Sequence, residues 1–260
     1  MTSHQETADR LIQAYRAGPI EPLRDILSAT DADGAYAIQL ASVTAWLAQG
    51  RRIVGRKIGL TAAAVQALLG VSQPDYGVLF DDMQIRDGGE LKPSQVLQAK
   101  VEAEVAFVMA TDLCDRHVSR ETLAGAIAAA VPAIEIVDSR IVDWRITFAD
   151  TVADNGSSAY FVLGTQQHPL NSLDLWTCGM VLEVNNEVRS IGAGAACLGH
   201  PLNAALWLAR LLADRGQALK KGDVILSGAL GPMVPIKPGD RIRASIGGLG
   251  SASFTFVENR

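Results

Sequence analysis

The stretch KVEAEVAFVM, residues 100–109, limits what this 260-residue chain can fold into. Its spacing predicts a strand that enters a core, yet Glu102 and Glu104 interrupt the apolar run. Side chains alternate across a strand, so Glu102, Glu104, Ala106 and Val108 share one face, with the two carboxylates roughly 7 Å apart at Cα. One reading is the wet face of an antiparallel sheet. Ala106 and Val108 speak against it, because the same face turns apolar at once. A third carboxylate, Glu135 in PAIEIVDS, lies between Ile134 and Ile136 and faces away from both. One buried glutamate can be a paired structural charge; three in two apolar strands suggest a shared cation, provided the strands are neighbours. Oxygen ligands with no Cys or His nearby in sequence suit a hard ion such as Mg²⁺ or Mn²⁺.

Two further residues carry open alternatives. Lys57, in GRKIGLT, is either a snorkelling surface lysine or, beside a metal or in a dry cleft, a group whose pKa falls toward neutrality. Asp75, in QPDYG, reads on its own as turn chemistry. The phrase IGAGAACLGHPLN matches neither G-x-G-x-x-G nor the P-loop pattern, His200 reads as the residue that opens a helix, and no G-x-S-x-G motif is present.

Along the chain, residues 1–50 read as a helical N-terminal portion, in which Asp33 caps a helix with Tyr36, Leu40, Val43 and Leu47 on one stripe and Gly50 at its end. Residues 51–260 read as a mixed β-rich catalytic domain. Here TAAAVQALLG is a short helix, SRETLAGAIAAAV a helix before the strand PAIEIV, and HPLNAALWLARLLADRG a helix stopped by Gly216. LKKGDVILSGA and IKPGDRIRASI are two Lys-x-Gly-Asp turns leading into strands. Strands and helices do not alternate regularly, so the expectation is an α+β fold and not a doubly wound sheet.

Composition excludes several functions. A net charge of -5 with no basic stripe argues against nucleic acid, and no apolar stretch is long enough to span a bilayer. Cys114, Cys178 and Cys197 are odd in number and unpaired in pattern, which fits a reducing cytoplasm.

Taken jointly, GRKIGLT, QPDYGVLF, KVEAEVAF, AIEIVDSRI, DTVADNGSS, GAGAACLGHPLNAALWLA and LSGALGPMVPIKPGDRI closely resemble the 2-hydroxypentadienoate (2-keto-4-pentenoate) hydratases of bacterial aromatic meta-cleavage pathways, within the fumarylacetoacetase-like superfamily. The resemblance runs from about Ala35 to Phe256. It implies a mixed β-sandwich/roll core with a small helical N-terminal part, homo-oligomeric assembly, and Mg²⁺ or Mn²⁺ held by Glu102, Glu104 and Glu135. It also implies proton transfer and water activation by Lys57 and Asp75 and a substrate contact from Ser157, with a 2-hydroxydienoate or 2-oxo acid as substrate. Sister decarboxylases of 4-oxalocrotonate share the metal motif; they read LKMGLTS where this chain has RKIGLTA, lack the aspartate of QPDYG, and carry a GGIT-like phrase in place of SGALGPM. All three segments favour hydratase. A further expectation to be tested is association with a neighbouring pathway enzyme, as a non-catalytic partner of such a decarboxylase would show; that role would go with loss of the acid-base groups, and Lys57 and Asp75 are both present.

Overall fold

Two sheets organise the chain in a computed structural model that describes residues 3–258. In order, the elements are α1 (His4–Ala17), α2 (Ala32–Ala48), β1 (Ile53–Gly59), α3 (Ala63–Leu68), β2 (Asp75–Phe80), β3 (Gln84–Ile85), β4 (Gly89–Leu91), β5 (Lys100–Met109) and α4 (Arg120–Gly125). There follow β6 (Ile127–Val137), α5 (Phe148–Ala153), β7 (Ser158–Leu163), β8 (Gly179–Val184), β9 (Glu187–Ala193), α6 (Pro201–Asp214), β10 (Val224–Ala229), β11 (Val234–Pro235), β12 (Arg241–Ile246) and β13 (Gly250–Phe256). The larger sheet runs β2-β1-β10-β5-β6-β7-β3, with β11 also on β5; the smaller runs β4-β13-β12-β8-β9. Most pairs are antiparallel, while β1–β10, β3–β7 and β4–β13 are parallel, so the fold is the mixed α+β type expected.

The strand over residues 100–109 forms as its alternation predicts, and β6 is its antiparallel neighbour with Glu102 directly opposite Glu135. The wet-face reading fails, because Ala106, Val131 and Ala133 continue the glutamate face into a buried apolar cluster with Phe161 and Leu226. Ile134 and Ile136, on the other face, join the main core together with Leu11 and Ile38 of the N-terminal helices.

Three local expectations are corrected. The run AIAAAV is not helical: α4 ends at Gly125 and β6 begins at Ile127, because alanine follows whatever its neighbours pair with, and here β5 pairs along one edge while Ala130 bridges His168 on the other. Pro132 sits inside that strand without harm. Its carbonyl accepts from Gly164, so its nitrogen faces the same edge, and the ladder to β5 loses no donor. Second, the cap of α2 is Asp31, whose carboxylate accepts from Gly34 N, and the stripe is split: Tyr36 and Val43 are buried while Leu40 and Leu47 are exposed. Third, QPDYG is not a free turn, since Asp75 begins β2 and pairs with Gly59. The helix before Gly216 forms, and His200 opens it by accepting a hydrogen bond from Leu202 N. Among the described residues no helix is long and apolar enough to cross a membrane.

Candidate active site

Glu102, Glu104 and Glu135 come together because two of them alternate on β5 and the third faces Glu102 across the ladder. One oxygen from each lies within 4.8 Å of the others. Glu104 and Glu135 are fully buried. A bulge in β10 between Leu226 and Ala229 turns Gly228 N onto Glu104 Oε2 at 2.8 Å, with Gly228 at φ +101°, a conformation that favours glycine. Glu104 Oε1 and Glu135 Oε2 have no hydrogen-bond partner among the described residues. Orphaned buried oxygens of this kind call for a cation.

Burial and mutual repulsion both act on these acids. Burial, followed by the charge of Glu135, pushes Glu102 up to about 7 and Glu104 well above the usual carboxylate range. Burial also raises Glu135, against the pull of Lys57. Three acids that resist ionisation by themselves and turn free oxygens to one point suit a small divalent ion, so the donor set fits Mg²⁺ or Mn²⁺.

Lys57 is no surface lysine. It projects from β1 with 3% exposure, and its Nζ lies 3.1 Å from Glu135 Oε1 and donates to Gly156 O at 2.9 Å. Burial works to lower its pKa, but Glu135, Asp75, Glu102 and Glu104 outweigh it, and the ammonium is held above its ordinary value. The expected fall is therefore absent in the ion-free protein. Asp75 is 1% exposed, and burial pushes its carboxyl up while Lys57 opposes the shift. Gly59, its register partner, makes the approach possible: a Cβ there would overlap Asp75 Oδ1 and lie 3.4 Å from Lys57 Nζ.

The structure thus brings Lys57, Asp75 and the three glutamates into one buried cluster. Ser157 lies beside it: its hydroxyl is 3.2 Å from Thr151 Oγ1, and it follows the Gly156 whose carbonyl holds Lys57. Sequence reasoning missed what fixes that loop. Asn155, Gly156 and Ser157 are consecutive left-handed residues at φ 55°, 63° and 53°. The Asn155 amide clamps Val78, accepting from its N at 2.8 Å and donating to its O at 3.0 Å. Upstream, buried Arg140 bonds Asp154 through Nε and the main-chain N at 2.6 and 2.9 Å and donates to the carbonyls of Asp154 and Ser158. The Asn-Gly pair was the available signal, since both residues tolerate positive φ.

Fold and site define a class: a mixed α+β protein whose long sheet gathers buried carboxylates beside a buried lysine and aspartate. The match to the fumarylacetoacetate (FAA) hydrolase C-terminal family spans residues 72–257, and the chain belongs to that family. It is 52% identical over 254 residues, 97% of each chain, to "2-keto-4-pentenoate hydratase 1" of Dechloromonas aromatica. It is 42% identical, over 96% of each chain, to the "2-hydroxyhexa-2,4-dienoate hydratase" of Comamonas testosteroni. Among solved structures it resembles 4-oxalocrotonate decarboxylase from Pseudomonas putida G7, complexed with magnesium and adipate, with TM-score 0.92, 35% identity and coverage of 98% of this chain and 97% of that one.

Proposed function

We propose that the chain is a hydro-lyase that adds water to 2-hydroxypenta-2,4-dienoate, the enol of 2-keto-4-pentenoate, to give 4-hydroxy-2-oxopentanoate in the meta-cleavage breakdown of aromatic compounds. The observation that carries this reading is 52% identity with a hydratase along 97% of the chain, against 35% with the decarboxylase whose fold it shares.

Glu102, Glu104 and Glu135 would hold the Mg²⁺ or Mn²⁺; bound there, the ion supplies Lewis acidity toward the carboxylate and C2 oxygen of a 2-oxo acid. The chain's own residues handle the protons. Hydration needs the enol proton removed, one proton added at C5, and water split into hydroxyl at C4 and hydrogen at C3. Lys57 enters as an ammonium and can donate. Asp75, with its carboxyl raised by burial, accepts and returns a proton closer to neutral pH than an exposed aspartate would. Ser157 is the substrate contact in this scheme, on the left-handed loop beside Lys57.

A second reading, decarboxylation of 4-oxalocrotonate, draws on the likeness to that decarboxylase. One experiment separates the two. Purified protein with Mg²⁺ should deplete the dienoate's ultraviolet absorbance and release no carbon dioxide from 4-oxalocrotonate; the opposite pattern would sink the hydratase reading.

A further inference from the structure

Alternation along β1 and β2 sends Lys57 and Asp75 to one face and Arg56, Ile58, Tyr76 and Val78 to the other. On that other face, α2 and the end of α6 close a cavity of about 770 Å³, within the usual range of small-molecule sites. Its walls are mostly apolar, with Tyr36, Val43, Tyr76 and Val78 inside and Leu40 and Leu47 exposed at the lip.

Two guanidiniums line this cavity, and neither forms an ion pair among the described residues. Arg56 is 8% exposed; one amino group donates to the adjoining carbonyl of Gly55 at 2.9 Å, and its Nε is buried without a partner. Asp223 acts on Arg56 through space but stays beyond ion-pair distance, its carboxylate turned to Lys220 N. Arg215, an exposed residue at the mouth, lies 4.1 Å over the Tyr36 ring and donates to Tyr76 Oη at 3.0 Å, its one side-chain hydrogen bond among the described residues. Tyr36 and Tyr76 stack on each other at 5.0 Å, which makes the aromatic floor rigid. Asp33 lines the rim, so the cavity keeps a net positive charge.

The buried Arg56 guanidinium is unfavourable without a counter-ion, and the planar fork of an arginine matches a carboxylate. We propose that this cavity is a second ligand site, separate from the glutamate cluster, which takes a small carboxylate with an apolar body, an aromatic or short acyl acid. The carboxylate pairs with Arg56 and Arg215, and the apolar body rests against Tyr36, Leu40 and Val43. A bare inorganic anion would leave the walls unfilled. A neutral apolar molecule would leave the guanidiniums unpaired.

The test uses the full chain with 4-fluorobenzoate, observed by fluorine NMR in the presence of chelator so that no metal ion captures the probe. Saturable binding is expected, with 4-fluorobenzamide at least about ten-fold weaker, the scale of a lost charge-assisted hydrogen bond. Arg56→Met should weaken the benzoate by a similar factor. Leu40→Glu, at a position 59% exposed where folding is not at stake, should also weaken it by placing a negative charge at the mouth. Absence of saturable binding, equal binding of the benzamide, or unchanged affinity in the Leu40→Glu variant would overturn the proposal. So would loss of oligomeric assembly in Leu40→Glu by sedimentation, since the cavity would then be a surface between copies of this chain. Every arm reads binding or assembly, so its failure leaves the hydratase reading untouched.

Discussion

Gly59 shows how much of the proposed chemistry depends on one missing methyl group. Gly59 lies on β1 two residues beyond Lys57, and the Asp75 carboxylate reaches across to it from β2 into space that a Cβ would fill. Gly59→Ala should displace the Asp75 carboxylate, and since misplacement by about 1 Å can cost 10²-fold, dienoate turnover should fall by about that factor. Metal affinity by calorimetry should hold, because β5 and β6 are not touched; a variant with normal turnover would remove Asp75 from the mechanism. Asp75→Asn asks the same of charge alone. It preserves volume in β2, so melting should be nearly unchanged, while hydration drops by about 10²-fold or more, the scale of a lost general acid or base. Wild-type turnover would return Asp75 to a structural role. Lys57→Met keeps the stem and deletes the ammonium, but it also frees Glu135 from its partner at 3.1 Å, so loss of turnover should come with tighter, not weaker, metal binding.

At the scale of elements, what was legible in the sequence was what repeats with a period. β5 was readable to the residue from its alternation, and α6 from its apolar stripe and Gly216. The glutamate triad was readable as a possibility, since alternation fixes faces, but not as a site, because only the β5–β6 register puts Glu102 opposite Glu135. AIAAAV was misread, for alanine carries the highest helix propensity and no sequence signal announces that β5 will pair along it. The Asp154–Ser157 loop was illegible for another reason: its left-handed geometry is imposed from afar, by Arg140 and by the main chain of Val78. That gives a prediction. Asn155→Ala leaves Val78 N and O unpaired and puts alanine at φ 55°, a combination that should destabilise by about 2–4 kcal/mol. The melting temperature should fall by several degrees, and Lys57, released from Gly156 O, should lose activity out of proportion to the loss of stability. Activity that merely tracks the folded fraction would mean the loop only stabilises.

For the whole molecule, the proposed metal site makes the carboxylate cluster a link between folding, pH and a divalent ion. The ion-free protein buries acids that resist ionisation: Glu102 is pushed up to about 7 by burial and by Glu135, while in the unfolded chain it titrates near its ordinary value of 4.5. Between those two values the folded state holds a proton that the unfolded state has released, so this group makes the ion-free protein less stable as pH rises through the window. A bound divalent ion replaces that proton and favours the ionised form. The melting temperature with Mg²⁺ or Mn²⁺ should therefore exceed that with chelator, by a gap that widens as pH rises toward about 7, because the proton on Glu102 competes with the ion below that value. Ion uptake near neutral pH should release protons, visible as a calorimetric heat that depends on the ionisation enthalpy of the buffer. Glu104→Gln should abolish tight binding and with it the gap, because the amide keeps the shape of the site and removes one negative charge. A melting temperature that rises with chelator, or a gap of constant size across the window, would mean that these three glutamates do not hold the ion.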